Sequence, residues 1–201
     1  PTKISGLPDW LRAKGVTEKV YKAHGGGKSP DYNHPQMVLA LERLIAAMGK
    51  RYNTHPRVAF IQLGLLGFWG EWHTYPREEL FASEATQHRV LRAYLKAFPD
   101  KQLMARYADG TLAKYHSIGF HDDMFPEDTD NGKDWSFLAR MRRSGHIDSW
   151  KQTVIGGEMV PNAARKWLGK RWELTREMVD RSHFSWVGPY GPALEAETSD
   201  T

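Results

Sequence analysis

The sequence predicts an α/β fold, and more narrowly the C-terminal part of a (β/α)8 barrel. Strand-like apolar runs alternate with helical patterns along most of the chain. Polar and aromatic residues collect after the predicted strands and rarely before them, as expected where parallel strands present a ligand site at their carboxyl ends. Five strands can be recognised, whereas a complete barrel takes about 250 residues. We therefore expect residues 1–201 to form one partial barrel domain that holds strands 4 to 8, with the first three β/α units absent.

The first predicted strand, residues 57–66, is the clearest. Its apolar run is nearly continuous and is bounded by Pro56 and Gly67, which is typical of a strand covered by helices on both faces. The loop that follows carries Trp69, Glu71, Trp72 and His73. These side chains are too large and too polar to serve turn geometry alone, so the loop is a candidate site.

The remaining elements follow in order along the chain. Residues 1–30 are predicted to be a long irregular connection with a short helix at 8–14, and residues 35–50 an amphipathic helix. After the first strand we expect helices at 78–98, 135–143 and 162–181, and strands at 102–107, 117–121, 152–157 and 184–187. A doubly wound sheet is the alternative, but the chain carries neither a G-x-G-x-x-G nor a P-loop motif.

Composition narrows the class of protein. With 40% hydrophobic and 12% aromatic residues the chain is expected to be globular rather than disordered. It has no cysteine, which excludes disulfides and thiol chemistry. No apolar run approaches the roughly 20 residues that span a bilayer, so no membrane span is predicted. The net charge of +4 comes from basic residues scattered among 24 acidic ones, which argues against a nucleic-acid partner.

Three motifs carry a resemblance to a known group of proteins. They are Pro30-Asp31-Tyr32-Asn33-His34-Pro35, Gly67-Phe68-Trp69-Gly70-Glu71-Trp72-His73 and Gly156-Gly157-Glu158. Together they are similar to an uncharacterised bacterial family of secreted, β-galactosidase-like proteins in the clan of retaining glycoside hydrolases. That clan has an acid/base Glu after barrel strand 4 and a nucleophile Glu after strand 7. The resemblance implies that Glu71 is the acid/base, that Glu158 is the nucleophile, and that the protein acts on polysaccharides or oligosaccharides outside the cell or in the periplasm.

The chemistry of the two residues agrees with these roles. Retaining cleavage needs one carboxylate that attacks the anomeric carbon and one carboxyl that protonates the leaving oxygen, about 5 to 5.5 Å apart. Trp69 and Trp72 are expected to reduce the hydration of Glu71 and so raise the pKa of its carboxyl. The alternative is that Glu71 forms a structural ion pair with Arg106. One position departs from the clan, because Gly70 stands where an Asn precedes the acid/base Glu.

Further residues are predicted to bind the sugar. Indole and phenol rings can stack on the apolar face of a pyranose, and buried polar groups can bind its hydroxyls. The ring candidates are Trp69, Trp72, Tyr107, Trp186 and Tyr190, and the hydrogen-bonding candidates are His73, Arg106, His121, Asp122 and Asp123. Trp135, Trp150, Trp167 and Trp172 are predicted to be packing residues instead.

No cofactor and no metal is predicted. The run Asp128-x-Asp130-x-Gly132-x-Asp134 resembles a calcium loop but lacks the bidentate Glu at its twelfth position, so it is interpreted as a solvated acidic loop. Two other functions stay open. One is a carbohydrate-binding barrel without turnover, and the other is a basic nucleic-acid-binding protein. The sequence leaves the oligomeric state, the sugar and the linkage undetermined.

Overall fold

The structure, a computed structural model, describes residues 5–160 and 163–188 as a mixed α/β protein. The chain divides into two compact units, residues 1–103 and 104–201. Strand β4 (Gln102–Ala105) contains the division between them. Within the described residues, none of the helices is both long and apolar enough to cross a membrane.

The first unit begins with a short helix that the sequence predicted, at 8–14, and with a hairpin that it did not. A one-turn helix α1 (Asp9–Arg12) is followed by an antiparallel hairpin of β1 (Glu18–Tyr21) and β2 (Gly27–Pro30). The prediction of an irregular connection over residues 1–30 was therefore wrong for the hairpin. Strand β1 shows no alternation of buried and exposed residues, so the period that marks most strands is missing from it.

Two long helices dominate the rest of the first unit. Helix α2 (Pro35–Tyr52) confirms the predicted helix and buries Met37, Val38, Leu41 and Ile45. Helix α3 (Glu84–Ala97) begins later than predicted because Ser83 caps it by accepting from the Thr86 N–H. The helices pack closely enough that a Cβ at Gly49 would lie 2.4 Å from the Ala97 carbonyl oxygen. Strand β3 is short, Phe60–Gln62.

The second unit alternates strands and helices. Its elements are β5 (Gly119–Phe125), α4 (Phe137–Arg143), β6 (Ile155–Met159), α5 (Ala164–Leu168), α6 (Trp172–Ser182) and β7 (Trp186–Gly188). The predicted single helix over 162–181 is two helices, because the chain leaves the helical conformation at Gly169 (φ −109°, ψ −103°).

The strands form one sheet in the order β3-β4-β5-β6-β7. The pairs β4–β5, β5–β6 and β6–β7 are parallel. In register, Met104 lies beside Gly119, His121 beside Gly156, and Gly156 beside Trp186. The α/β class and the five sequential strands are thus confirmed, and a parallel sheet of this order is compatible with part of an α/β barrel.

Candidate active site

In the first unit, Glu71 lies on a loop whose backbone has little freedom. Leu65, Trp69 and Trp72 all have positive φ, at 74°, 53° and 60°. Such conformations cost about 1–3 kcal/mol each in non-glycine residues and cluster at functional sites. The loop is closed by hydrogen bonds from the Phe68 N–H to the His73 carbonyl (2.7 Å) and from the Trp72 N–H to the Leu66 carbonyl (2.9 Å).

Two glycines make this loop possible. Gly67 has φ +83°, and a Cβ there would lie 2.4 Å from the His73 carbonyl oxygen. Gly70 also has φ +83° and approaches the Leu65 nitrogen. Residues with a side chain rarely adopt that φ, which gives a physical reason for glycine at the position before Glu71. The Tyr32 hydroxyl donates to the Gly67 carbonyl at 3.1 Å, and burial raises the pKa of Tyr32 to about 12.

His73 positions the Glu71 carboxylate. Its Nδ1 accepts a hydrogen bond from the Tyr75 N–H at 3.2 Å, which assigns the ring proton to Nε2. Nε2 lies 3.2 Å from the Glu71 Oε2 and therefore donates to it. Side chains of Glu71 and His73 are 30% and 20% exposed, so the carboxylate is reachable from solvent.

The two indoles beside Glu71 differ in their exposure to solvent. Trp72 is 5% exposed and donates its indole N–H to the Gly64 carbonyl at 3.2 Å, so its ring face is packed inside the first unit. Trp69 is 67% exposed, so it presents its ring to solvent. Only Trp69 of this pair offers a surface on which a sugar ring could stack.

In the second unit, the predicted site residues collect on one face of the sheet. Side chains alternate across a strand, and partners in a parallel register point to the same side. The register of β4 to β7 therefore puts the following on one face, towards the carboxyl ends of the strands: Arg106, His121, Glu158 and Trp186. The contacts agree, since Arg106 forms an ion pair with Asp123, and the Trp186 indole N–H approaches the Met104 sulfur at 3.3 Å.

Asp122 lies on the opposite face of β5. It is fully buried and accepts hydrogen bonds from the Thr129 hydroxyl (2.7 Å) and the Met124 N–H (3.0 Å). Burial raises the pKa of Asp122, although Arg106, 3.9 Å away, opposes that effect. The bond from Thr129 ties Asp122 to the segment after β5, so this carboxyl group stabilises the fold.

His121 and Arg106 both carry polar atoms that lack a hydrogen-bond partner. His121 is 6% exposed, and burial together with the nearby Arg106 charge lowers its pKa to about 4, with Asp123 acting in the opposite direction. Among the described residues, neither the His121 Nδ1 nor the Arg106 Nε has a partner, although both are buried. Buried atoms of this kind cost about 1–3 kcal/mol each unless something satisfies them.

The glycines before Glu158 are explained by two aromatic rings. A Cβ at Gly156 would lie 1.9 Å from the Trp186 indole nitrogen, and one at Gly157 would lie 2.5 Å from the Phe184 ring. Glu158 is half-buried and stands beside Gly188 of β7 in register. Because the two glycines have no side chains, the Trp186 and Phe184 rings can pack directly against β6 just before Glu158, the candidate nucleophile.

The other predicted residues take varied positions. The Tyr107 ring has two guanidinium groups, Arg106 and Arg140, each 4.3 Å from its centroid. Tyr190 lies outside the described residues. Asp130 of the acidic loop pairs with Arg142 (3.3 Å) and Arg181, so the loop is tied by ion pairs rather than merely solvated. Across residues 5–160 and 163–188, no cluster of three or more acidic or histidine side chains is arranged to hold a metal ion.

Sequence reasoning missed one residue near Glu71. His24, at the tip of the β1–β2 hairpin, lies 5.0 Å from Trp69 between ring centroids. The glycines that follow it were interpreted as an irregular connection rather than as a hairpin turn.

Comparison of the chain with known protein families, curated proteins and solved structures finds no match.

Proposed function

We propose that the chain is the C-terminal part of a (β/α)8 barrel glycoside hydrolase that acts by the retaining mechanism. Glu71 is the acid/base, Glu158 is the nucleophile, and the substrate is a polysaccharide or oligosaccharide outside the cytoplasm. The motif resemblance to the secreted bacterial family is the starting point of this proposal. The three-dimensional arrangement adds support that the motifs do not supply.

The observation that carries the proposal is the shared face of β4 to β7. Arg106, His121 and Glu158 come from three consecutive parallel strands or the residues directly after them and point to one side near the carboxyl ends, and Asp123 forms an ion pair with Arg106. Ligands of parallel α/β folds bind at that end. The unsatisfied Arg106 Nε and His121 Nδ1 on this face would gain partners from the hydroxyls of a bound sugar.

Each residue has a defined step. The Glu158 carboxylate attacks the anomeric carbon while the Glu71 carboxyl gives its proton to the leaving glycosidic oxygen, so the glycosidic bond breaks as the glycosyl–enzyme ester forms. Glu71 then takes a proton from water, which attacks the same carbon and releases Glu158. The His73 Nε2–H holds the Glu71 carboxylate in place between these steps, and a neutral His121 adds no positive charge of its own beside Arg106.

Replacement of the two glutamates should affect the two steps differently. In the natural full-length protein, Glu158→Gly should abolish turnover of every substrate because no nucleophile remains. Glu71→Ala should lower kcat on natural glycosides by roughly 100- to 10,000-fold, the usual contribution of general acid–base catalysis. Activated aryl glycosides need no proton on the leaving group, so this variant should still form the glycosyl–enzyme from them and show a burst of released phenol.

Azide supplies the decisive readout. With Glu71→Ala, added azide should restore turnover of an activated β-glycoside and release a β-glycosyl azide, because azide attacks without needing a base. Glu78→Ala, an exposed glutamate of the same unit, is the matched control and should behave as wild type. Equal loss on activated and natural substrates without azide rescue would refute the role of Glu71. Wild-type rates in both Glu71→Ala and Glu158→Gly would refute the catalytic roles and leave only the similarity of fold.

A sugar-binding protein without turnover is the second candidate. It is favoured by one feature, the exposed Trp69 ring, which would bind a sugar whether or not hydrolysis follows. Binding of a glycan by the full-length protein, measured by calorimetry, with no cleavage of that glycan on prolonged incubation would support this alternative over the enzyme.

A further inference from the structure

We infer that Trp69 and His24 form a stacking subsite for the leaving-group sugar, built by the β1–β2 hairpin. The inference rests on the proposed glycosidase function and adds to it that the natural substrate has a sugar ring on both sides of the cleaved bond. Residues His24, Trp69, Tyr75 and the hairpin all belong to the first unit.

The hairpin is fixed to the Glu71 loop at two points. Tyr21 stacks on the buried Phe68 ring with centroids 4.1 Å apart and an interplanar angle of 26°. The His24 Nε2 lies 2.7 Å from the Tyr75 carbonyl oxygen and donates to it. The tip of the hairpin is therefore held against the segment that contains Glu71, instead of extending freely from the unit.

Trp69 is exposed and constrained at the same time. Its backbone is left-handed, with φ 53° and ψ 6°, a conformation that non-glycine residues rarely adopt and that restricts the direction of the side chain. The rings near it are tilted to the indole plane, His24 by 67°, Phe68 by 74° and His73 by 53°. Within the described residues none of these neighbours stacks flat on the indole, so a broad apolar face is held open to solvent.

His24 supplies the polar half of the subsite. Since its Nε2–H donates to Tyr75, its Nδ1 carries no proton in the neutral ring and can accept a hydrogen bond. An apolar ring face beside an imidazole acceptor matches a pyranose, which presents C–H groups on its faces and hydroxyl donors around its rim. An indole without a polar neighbour would suit an apolar ligand equally well. The hydrogen-bond acceptor of His24 is what favours a sugar over an apolar ligand.

The position relative to Glu71 assigns the sugar. The Trp69 ring lies 6.1 Å from His73, which hydrogen-bonds Glu71 at 3.2 Å. In the retaining reaction the acid/base carboxyl acts on the leaving oxygen, whereas the nucleophile contacts the anomeric carbon. A ring bound beside Glu71 therefore belongs to the leaving group.

The test compares substrates that have or lack a leaving-group sugar. In the full-length protein, Trp69→Ala should lower the ratio of kcat/KM on a natural oligosaccharide to kcat/KM on an aryl glycoside by roughly 10- to 100-fold, the range expected for losing one large apolar contact. His24→Ala should lower the same ratio by roughly 3- to 10-fold, as for one hydrogen bond. Trp10→Ala, which removes an indole that is 54% exposed on α1, is the matched control and should leave the ratio unchanged.

The outcomes separate this inference from the function on which it rests. If wild type cleaves both substrates and neither variant changes the ratio, or Trp10→Ala changes it equally, the subsite is refuted and the enzyme stands. If wild type cleaves nothing, the proposed function fails, and calorimetry with the oligosaccharide decides the subsite alone. Binding that is lost in Trp69→Ala but kept in Trp10→Ala would then support the subsite, and absence of binding to wild type would refute it.

Discussion

At the scale of single residues, His121 shows how burial controls charge. Its ring is 6% exposed, and burial is the largest cause that lowers its pKa to about 4, well below the ordinary value of 6.5. In the unfolded chain the same ring is hydrated and binds a proton near pH 6.5. The folded protein thus keeps His121 neutral over a range in which the unfolded chain is charged.

This difference predicts a pH dependence of stability. Because the folded pKa is depressed, the contribution of His121 to stability is complete above pH 6.5 and is lost as the pH falls from 6.5 towards 4, and the whole loss is about 3 kcal/mol. His121→Gln cannot titrate, so the free energy of unfolding of wild type should fall relative to that of the variant over this range. Urea unfolding at a series of pH values measures both.

A second buried group requires a control. Burial raises the pKa of Asp122, so its contribution has the opposite sign and grows as the pH falls. It is present in wild type and in His121→Gln, and it largely cancels in their difference. Parallel stability curves for the two proteins between pH 4 and 7 would contradict the neutral, buried state of His121.

The tryptophans show what the sequence cannot give at this scale. Trp69 and Trp72 stand three positions apart in one motif, yet one is 67% exposed and the other 5%. The two rings point in different directions because the loop contains left-handed backbone conformations. The residue pattern does not predict those conformations. The same applies to the four indoles predicted to pack, since Trp167 is buried whereas Trp135 and Trp172 are nearly half exposed.

At the scale of elements, Asn33 links the starts of two helices. Helix α2 is capped by His34, whose side chain accepts from the Gln36 N–H. The Asn33 side-chain oxygen instead accepts from the Ser83 N–H at 2.8 Å and from the Thr86 hydroxyl at 2.9 Å. One side chain from the start of α2 thus holds the first turn of α3.

Asn33→Ala should destabilise the protein by about 1–3 kcal/mol, because two donors lose their acceptor and Thr86 is buried. Asn33→Asp keeps a side-chain oxygen in the same place and should lose clearly less. Urea denaturation of both variants beside wild type gives the comparison. Equal losses would mean that the two hydrogen bonds contribute nothing to stability.

How well each element could be predicted depended on whether its apolar residues recur with a regular spacing. Helix α2 was predicted well because its apolar residues recur at helical spacing over 18 residues. The apolar run before Gly67 was interpreted as strand down to Leu66, but β3 ends at Gln62. Leu63 and Leu66 are apolar because the loop itself is buried, and burial alone cannot distinguish a strand from a loop.

At the scale of the molecule, the strand order follows the order along the chain, which is what alternation of strands and helices predicts. The shared face of β4 to β7 was partly predictable, because residues after strands meet at one edge. The position of Asp122 on the face opposite to His121 required the register.

The sheet order also predicts association. Among the described strands, β3 and β7 stand at the two ends of the sheet, and an end strand can pair with another chain. If residues 1–201 are produced alone, we expect self-association that increases with concentration. Sedimentation velocity on residues 1–201 tests this, and the complete barrel that we propose should not associate in this way, because a closed barrel has no edges. A compact monomer of the isolated chain at all concentrations would count against the partial barrel.

The glycine pair before Glu158 has a consequence for how this region can evolve. Every amino acid other than glycine adds a Cβ, and at Gly156 or Gly157 that atom meets the Trp186 or Phe184 ring at 1.9 or 2.5 Å. A change at Gly156 is therefore harmful until Trp186 has been replaced by a smaller residue, and a change at Gly157 meets the Phe125 side chain of β5 at 2.8 Å as well. The order of substitutions is constrained, and lineages that alter these glycines must also change β7, the Phe184 before it, or β5.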